Sequence, residues 1–590
     1  MNMPRVAFLH PAKSLYGKRF SGQNGNLFIL FAAVMLLAGA RPAQSAENTP
    51  PGQTPPTASM PIVARVHWSG MKQLSGGTNA ASLLTIWNLP ESRRLEQQTL
   101  DKLSLAPWPL LHRNLDTNAA ALLRPLLDDL VAGESYLEIR QVANQPAELA
   151  LAIRLDDQRA ALWQTNLAAV LESLTSLQPV PAPQGSYGWS LKKHHSPNVI
   201  ELTRIGAWTI VGAAEDFNGL IAELRLRTHR ALPPWNVRNP GDWLEADLDP
   251  ARLAAVFSLS ARTAGEVPSL AGAGEGAHRA VEGGGDENKS SGRGEVGSKD
   301  IFTLNRLHLS ATGDVTNVLL NGTVDFPEPL ALELKPWNIP TNLIDEHLSG
   351  FTAIRGFQPW LASSPFWTNL QIGPPPDQIC FWAMPGLNML SYFATPLPEA
   401  SNTVSRLTDL VLRKQYRWFP TNGLSKFEKS AAFNGLEWKG VPYMYPFVLY
   451  TNINRQSFIF GGAFQPIPPA LPLSLQSLQA VLNRTNAVYY DWEITGPRTE
   501  QWLYMGQFAR LVCNKDQLPF SAPATLWLKD IAPRLGASLT VITQTGPNQL
   551  SFTRKSTIGF TGIELNLLAD WLESPQFPIG LHTFLAPPPQ

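Results

Sequence analysis

Apolar residues alternate through SYLEIRQV (135–142) and AELALAIRL (147–155), which predicts two strands joined by a short connection. The period then changes. Over 156–177, Trp163, Leu167, Val170, Leu174 and Leu177 step by four, three, four and three along one helix face, with Asp156 placed to cap the first turn. Alternation returns in YGWSLKK, NVIELTRI and AWTIVGA, the last two meeting at a turn on Gly206. A short helix from Asp216 to about Thr228 follows, and then the strand-like WLEADLDP (243–250).

The same order of patterns returns in the second half. DQICFWAMP and MLSYFATPLP read as strands, 399–414 as a helix with Val404, Leu407, Leu410 and Val411 on one side, and FNGLEWKG, YPFVLYTNI and QSFIFGGAF as three more strands. A Ser-capped helix (474–482) precedes AVYYDWEITGP. TIVGA (209–213) matches FIFGGA (458–463), and WLEADLDP matches YYDWEITGP (489–497). Each series ends on a similar hairpin with a Thr-Gly turn, ATGDVTNVLLNGTVDF (311–326) and QTGPNQLSFTRKSTIGF (544–560). The expected fold is α+β and two-lobed: two tandem copies of an antiparallel sheet with helices packed on one face, each copy around its own apolar interior. The N-terminal lobe is expected at 62–335, an aromatic and Pro-rich connector between lobes at 336–376, and the C-terminal lobe at 377–590. Within the first lobe, 62–131 stands outside the repeated pattern, with an edge strand in VARVHWSG followed by helices that pack on the lobe.

Composition changes this picture at two places. Basic residues upstream of the apolar run LFILFAAVMLLAGA (27–40), with Ala43 and Ser45 after it, give 1–46 the form of a secretory signal. The run has 14 residues, short of the roughly 20 a helix needs to cross a bilayer, so a retained membrane anchor is the lesser alternative. The Pro- and Thr-rich 47–61 then reads as an extended spacer. The second place is 262–300, glycine-rich and without an aromatic residue, which has too little apolar surface to offset the entropy of ordering it. Limited proteolysis of the full chain is expected to cut first within 262–300, read by mass spectrometry of the fragments; first cuts inside 135–214 would contradict the reading.

Charge excludes one class of partner. Forty-seven basic residues balance 47 acidic ones, so no net field attracts nucleic acid. Cys380 and Cys513 are the two cysteines, and the sequence leaves open whether they pair or are separate buried thiols.

Motifs for catalysis are scarce. GRGEVGSK (292–299) inverts the order of lysine and serine that a phosphate loop requires and lies in low-complexity sequence. Ser190 and Lys193 have the spacing of some acylating enzymes, but in a strand they point to opposite faces. His194 and His195 diverge for the same reason, and DEHLSG (345–350) lacks a second histidine one helical turn away. Glu245, Asp247 and Asp249 alternate along one strand, and Asp491 and Glu493 fall at the matching place; such carboxylates do general acid/base work or bind a cation, or form a solvated strand face. Eighteen tryptophans, among them those in PPWN (233–236) and KPWN (335–338) and Trp360 and Trp367, suit either a binding platform or packing. No catalytic, cofactor-binding or metal-ligating residue is assigned.

The stretches IWNLPESRRLEQQTLDKLSLAPW (86–108) and PWNIPTNLIDEHLSGFTAIRGFQPWL (336–361), after a signal segment, resemble uncharacterised secreted proteins of the verrucomicrobial type. That resemblance implies no activity and no site residues. The expected role is a non-catalytic binding or scaffolding protein, periplasmic or secreted, whose partner is an envelope component of unknown identity. The alternative is an envelope hydrolase using Asp247 or Asp491 at the boundary between lobes.

Overall fold

The computed structural model describes residues 61–578 except 112, 142–146, 184–185, 193–198, 215–225, 228–237, 240, 254–303, 347, 387–390, 419–425, 442–443, 466–482, 513–518 and 576. The expected signal segment at 1–46, the expected spacer up to 60, the glycine-rich 262–300, most of the stretch expected as a helix at 216–228, the stretch expected as a helix at 474–482 and Cys513 lie outside the described residues.

Among the described residues ten strands come from the first half: β1 (Ile62–Trp68), β2 (Ser135–Arg140), β3 (Glu148–Arg154), β4 (Val180–Pro181), β5 (Gly188–Lys192), β6 (Val199–Ile205), β7 (Trp208–Ala214), β8 (Leu244–Leu248), β9 (Arg306–Gly313) and β10 (Val318–Asp325). Ten more come from the second: β11 (Gly350–Arg355), β12 (Gln378–Ala383), β13 (Ser391–Pro396), β14 (Lys426–Lys429), β15 (Gly435–Lys439), β16 (Phe447–Ile453), β17 (Gln456–Gly462), β18 (Ala487–Ile494), β19 (Ala537–Gly546) and β20 (Gln549–Ser556). The α+β reading with antiparallel pairing holds.

The expected separate sheet for each half does not. All 20 strands form one sheet, because β10 pairs antiparallel with β20 from Val318↔Ser556 to Asp325↔Gln549. The two hairpins that look alike in sequence are thus hydrogen-bonded to each other. Unjoined, each would end its half on a row of free backbone donors and acceptors; the pairing satisfies both rows at once. Outward from this joint one side runs β10-β9-β8-β1-β2-β3-β7-β6-β5-β4. The other side runs β20-β19-β18-β11-β12-β13-β17-β16-β15-β14. Every strand of the first half therefore has a counterpart at the same distance from the joint.

β1 is not the edge strand that VARVHWSG suggested, since β2 and β8 flank it. The helices Pro90–Leu105 and Thr117–Ala132 are inserted between β1 and β2, where the second half has the short helices Gln358–Ser363 and Pro365–Leu370. The stretch expected to connect two lobes also contributes a central strand, β11, flanked by β12 and β18.

Helix starts follow local chemistry. Asp156 Oδ1 accepts from Arg159 N at 2.8 Å at the head of Asp157–Thr175, and Asp116 Oδ1 accepts from Asn118 N and Ala119 N at 3.0 Å at the head of Thr117–Ala132. These two helices and Pro90–Leu105 bury Leu100, Leu123, Leu126, Trp163 and Leu167 against Val66, Leu137, Leu149, Leu151 and Val211 of one sheet face. In the second half Ala400–Trp418 covers the corresponding face through Val404, while the opposite face carries an aromatic core of Phe351, Trp382, Tyr392, Phe447 and Phe460 packed against Trp337, Ile339 and Ile344. Packing of Ile86 and Leu95 with Trp527, Leu528 and Leu565 ties the first half's helices to those of the second.

Candidate functional site

Residues directly opposite in a ladder point to the same face, so rows of side chains can be followed across the sheet. One row runs Glu245, Ser310, Asn321, Thr553, Val541, Tyr490, and the next runs Ala246, Leu309, Gly322, Phe552, Ile542, Tyr489. Strand alternation then sends Glu245 and Asp247 to one face and Asp491 and Glu493 to the other. The carboxylates that looked equivalent in sequence occupy opposite sides of the sheet and cannot act on one bound molecule. Asp249 leaves the set altogether: it follows the end of β8, and its Oδ1 accepts from Arg252 N at 3.0 Å.

On the first face, His308 of β9 stands directly opposite Asp247 of β8. Donor atoms of Glu245, Asp247 and His308 all lie within 4.8 Å of one another. His308 Nδ1 is 3.4 Å from Asp247 Oδ1, an ion-pair distance too long for a well-made hydrogen bond. The guanidinium of Arg238 reaches both Asp247 oxygens at 3.2 Å, its backbone N–H donates to Glu245 Oε2 at 2.9 Å, and Arg306 Nε lies 3.4 Å from Asp247 Oδ1. Burial works to raise the Asp247 pKa, but His308, Arg306 and Arg238 together outweigh it and hold the group below its ordinary value. One strand further, buried His67 sits opposite Glu245, stacks on Tyr136 at 4.3 Å and approaches Glu134 at 3.4 Å. Next to it, Glu138, 1% exposed, takes Arg65 at 2.7 Å and Arg140 at 2.5 Å.

On the other face, Asp491 and Glu493 lie beneath the helices Thr495–Val512 and Gly562–Leu572. Thr352 Oγ1 donates to Asp491 Oδ1 at 2.6 Å, and Gly562 N donates to Glu493 Oε1 at 2.6 Å. Arg498 Nε stands 4.0 Å from Glu493 Oε2, and Arg554 is committed to Glu564 at 2.6 and 2.9 Å. Burial raises the pKa of Asp491, and burial with the neighbouring Asp491 charge raises that of Glu493 to about 7. Such a pKa suits proton transfer, yet the carboxylate already holds a backbone N–H.

Two cavities lie away from both acids. One of about 460 Å³ is bounded by Arg93, Glu96, Gln97, Leu100, Arg124 and Asp128; one of about 210 Å³ lies at the central joint among Leu319, Asn321, Leu539, Val541, Thr553 and Lys555. Of the other sequence candidates, Ser190 is on β5, whereas Lys193, His194, His195, His347 and the tryptophan of PPWN lie outside the described residues. Trp337 packs on the second-half core with Arg355 4.4 Å above its ring, Trp367 Nε1 donates to Gly373 O at 2.8 Å, and Trp360 is exposed.

Cys380 is buried in β12, and burial pushes its thiol up to about 12. In a Cys513→Ser variant, Cys380 is expected to resist alkylation at pH 8 until denaturant is added, followed by mass shift; fast labelling of the folded protein would contradict its placement.

Sequence reading missed His308, Arg238 and Arg306. The available signal was a histidine in the alternating run LHLS, which reads as an ordinary polar position until its opposite residue is known. Among the described residues no helix is long and apolar enough to cross a membrane. No protein-family model and no curated protein matches the chain. Crystal forms I and III of TP0453 align at 9% identity over 40% of this chain and 99% and 98% of theirs, with TM-scores of 0.20 and 0.19. At those scores the likeness carries no argument.

Proposed function

We propose that this chain is an exported, non-catalytic binding or scaffolding protein of the cell envelope, built from two tandem copies of one ten-strand unit fused through β10 and β20. The strand order repeated outward from the joint carries the reading. Duplication and edge-to-edge fusion yield a continuous surface rather than a reaction chamber: 20 strands at about 4.8 Å spacing extend on the order of 90 Å along the sheet. Neutralised acids fit this use. Asp247 is matched by two guanidinium groups, and Glu493 by a backbone N–H. Export rests on the signal-like 1–46.

The test is made on the mature protein from the producing cell. Mass spectrometry is expected to place its N-terminus after 46, and the protein is expected to sediment with isolated peptidoglycan sacculi or with vesicles made from envelope lipids. Asp247→Asn and Asp491→Asn variants should sediment equally. Absence of binding to both, together with turnover of ester, peptide or glycoside envelope substrates that is lost in either variant, would establish the hydrolase instead.

A further inference from the structure

We propose that Glu245, Asp247 and His308 form a binding site for a divalent transition-metal ion of the zinc class, which Arg238 occupies with its guanidinium when no metal is bound. The donors are set by two paired strands rather than by a loop. Glu245 and Asp247 are two residues apart on β8 and share a face, and β9 places His308 directly opposite Asp247. Their donor atoms lie within 4.8 Å of one another, so side-chain rotation alone can bring them to the roughly 2.0–2.2 Å bonds that zinc makes to imidazole and carboxylate. His308 Nδ1 is a buried atom that stands 3.4 Å from Asp247 Oδ1 without making a hydrogen bond of good geometry, and Nδ1 of His67, which is 5% exposed and stands opposite Glu245 in the next strand, is buried with no hydrogen-bond partner. Buried polar atoms left this way are uncommon, and these two imidazoles flank the same pair of carboxylates.

The chemistry of the donors selects the ion. Imidazole with carboxylate suits zinc, copper, nickel or iron, whereas calcium asks for six or more oxygens, which three side chains do not supply. Charge sets the competitor. Arg238 binds both carboxylates but its side chain is 53% exposed, and that of Arg306 is 55% exposed, so either can swing into water when a dication takes its place. Metal and guanidinium are then mutually exclusive, because a dication and a guanidinium held against the same oxygens repel.

The test uses full-length mature protein stripped with a chelator and titrated with Zn²⁺ by calorimetry, with Co²⁺ absorption as a second readout of nitrogen and oxygen coordination. One ion per chain is expected. His308→Ala should weaken binding about 100-fold or more, and Glu245→Gln about tenfold or more. Arg238→Gln should tighten it about tenfold, since removing the competing cation favours a dication. That gain separates a metal site from a structural ion pair, for which losing Arg238 confers nothing. The chain has ten histidines, so the difference between variant and wild type, each shown folded by circular dichroism, is the measured quantity. Equal affinity of His308→Ala and wild type would overturn the proposal, as would an Arg238→Gln variant that binds no tighter. Should His308→Ala prove unfolded, Glu245→Gln and Arg238→Gln decide the matter between them.

Discussion

Replacing Gly322 by valine is expected to destabilise the protein by about 3 kcal/mol or more and to open the sheet at its centre. Gly322 lies in β10, opposite Leu309 on one side and Phe552 on the other. A Cβ there would stand 2.2 Å from Phe552 Cε1 and 2.6 Å from the His308 carbonyl oxygen. The ring can rotate away, but the carbonyl belongs to the β9 ladder and yields only if backbone pairing yields with it. Urea unfolding gives the size of the loss, and hydrogen exchange gives its place: β10 and β20 should exchange faster while β2, β3 and β12 keep their protection. Gly322→Ala should do less, and adding Phe552→Ala to it should recover only part, because the carbonyl clash survives. The halves should not come apart, since Lys102 Nζ donates to Leu572 O at 2.6 Å and Trp527 Nε1 to Ser92 Oγ at 3.1 Å away from the joint. Wild-type exchange in β10 and β20 of the valine variant would show that the close approach at Gly322 is not what permits the pairing.

The joint also marks the limit of what the sequence discloses. Alternation and a Thr-Gly turn suffice to find each of the two hairpins, because those signals are local. Which strand lies beside β10 is a non-local choice, and nothing within 311–326 or 544–560 states that the two hairpins select each other. β1 fails for a related reason. Arg65 and His67 alternate with apolar residues, as on a solvated edge, yet Arg65 meets Glu138 at 2.7 Å and His67 lies 5% exposed on Tyr136. A polar face covered by its own counter-charges reads like one covered by water. Arg355 misleads in the same way: taken as part of a connector, it sits 2% exposed at the end of β11 and donates to the carbonyls of Ala487, Lys335, Arg484 and Thr485 at 2.6–3.1 Å. The carboxylates were found by spacing of two, which fixes that they share a face within a strand but not which face. One residue of register separates the pair under the helices from the pair beside His308.

At pH 8 the Glu493→Gln variant is expected to be more stable than the wild type by about 2 kcal/mol, and at pH 4.5 about equally stable. Glu493 is 4% exposed, and its pKa stands near 7 against an ordinary value of 4.5. Burial is the main cause, reinforced by Asp491 on the same face and opposed by the Gly562 N–H and Arg498. The sign follows from proton counting. Between pH 4.5 and 7 the folded chain holds a proton that the unfolded chain has released, so the stability from the neutral acid is full below 4.5 and is lost as pH rises through 7. The whole shift corresponds to roughly 3 kcal/mol at high pH, and glutamine recovers most of it by removing the buried charge. Its amide oxygen still accepts from Gly562 N, so the start of the helix Gly562–Leu572 stays anchored. What the variant gives up is the partial neutralisation of Arg498, whose own pKa burial lowers and which keeps Gln501 at 2.7 Å and the Trp502 ring at 5.2 Å. Asp491 is present in both proteins, but its repulsion of an ionised Glu493 exists only in the wild type and is part of what glutamine removes. Thermal melts of both proteins across pH 4.5–8 therefore should diverge progressively with rising pH. Parallel curves, or a variant less stable at pH 8, would mean that Glu493 is held ionised by partners stronger than the burial that opposes it.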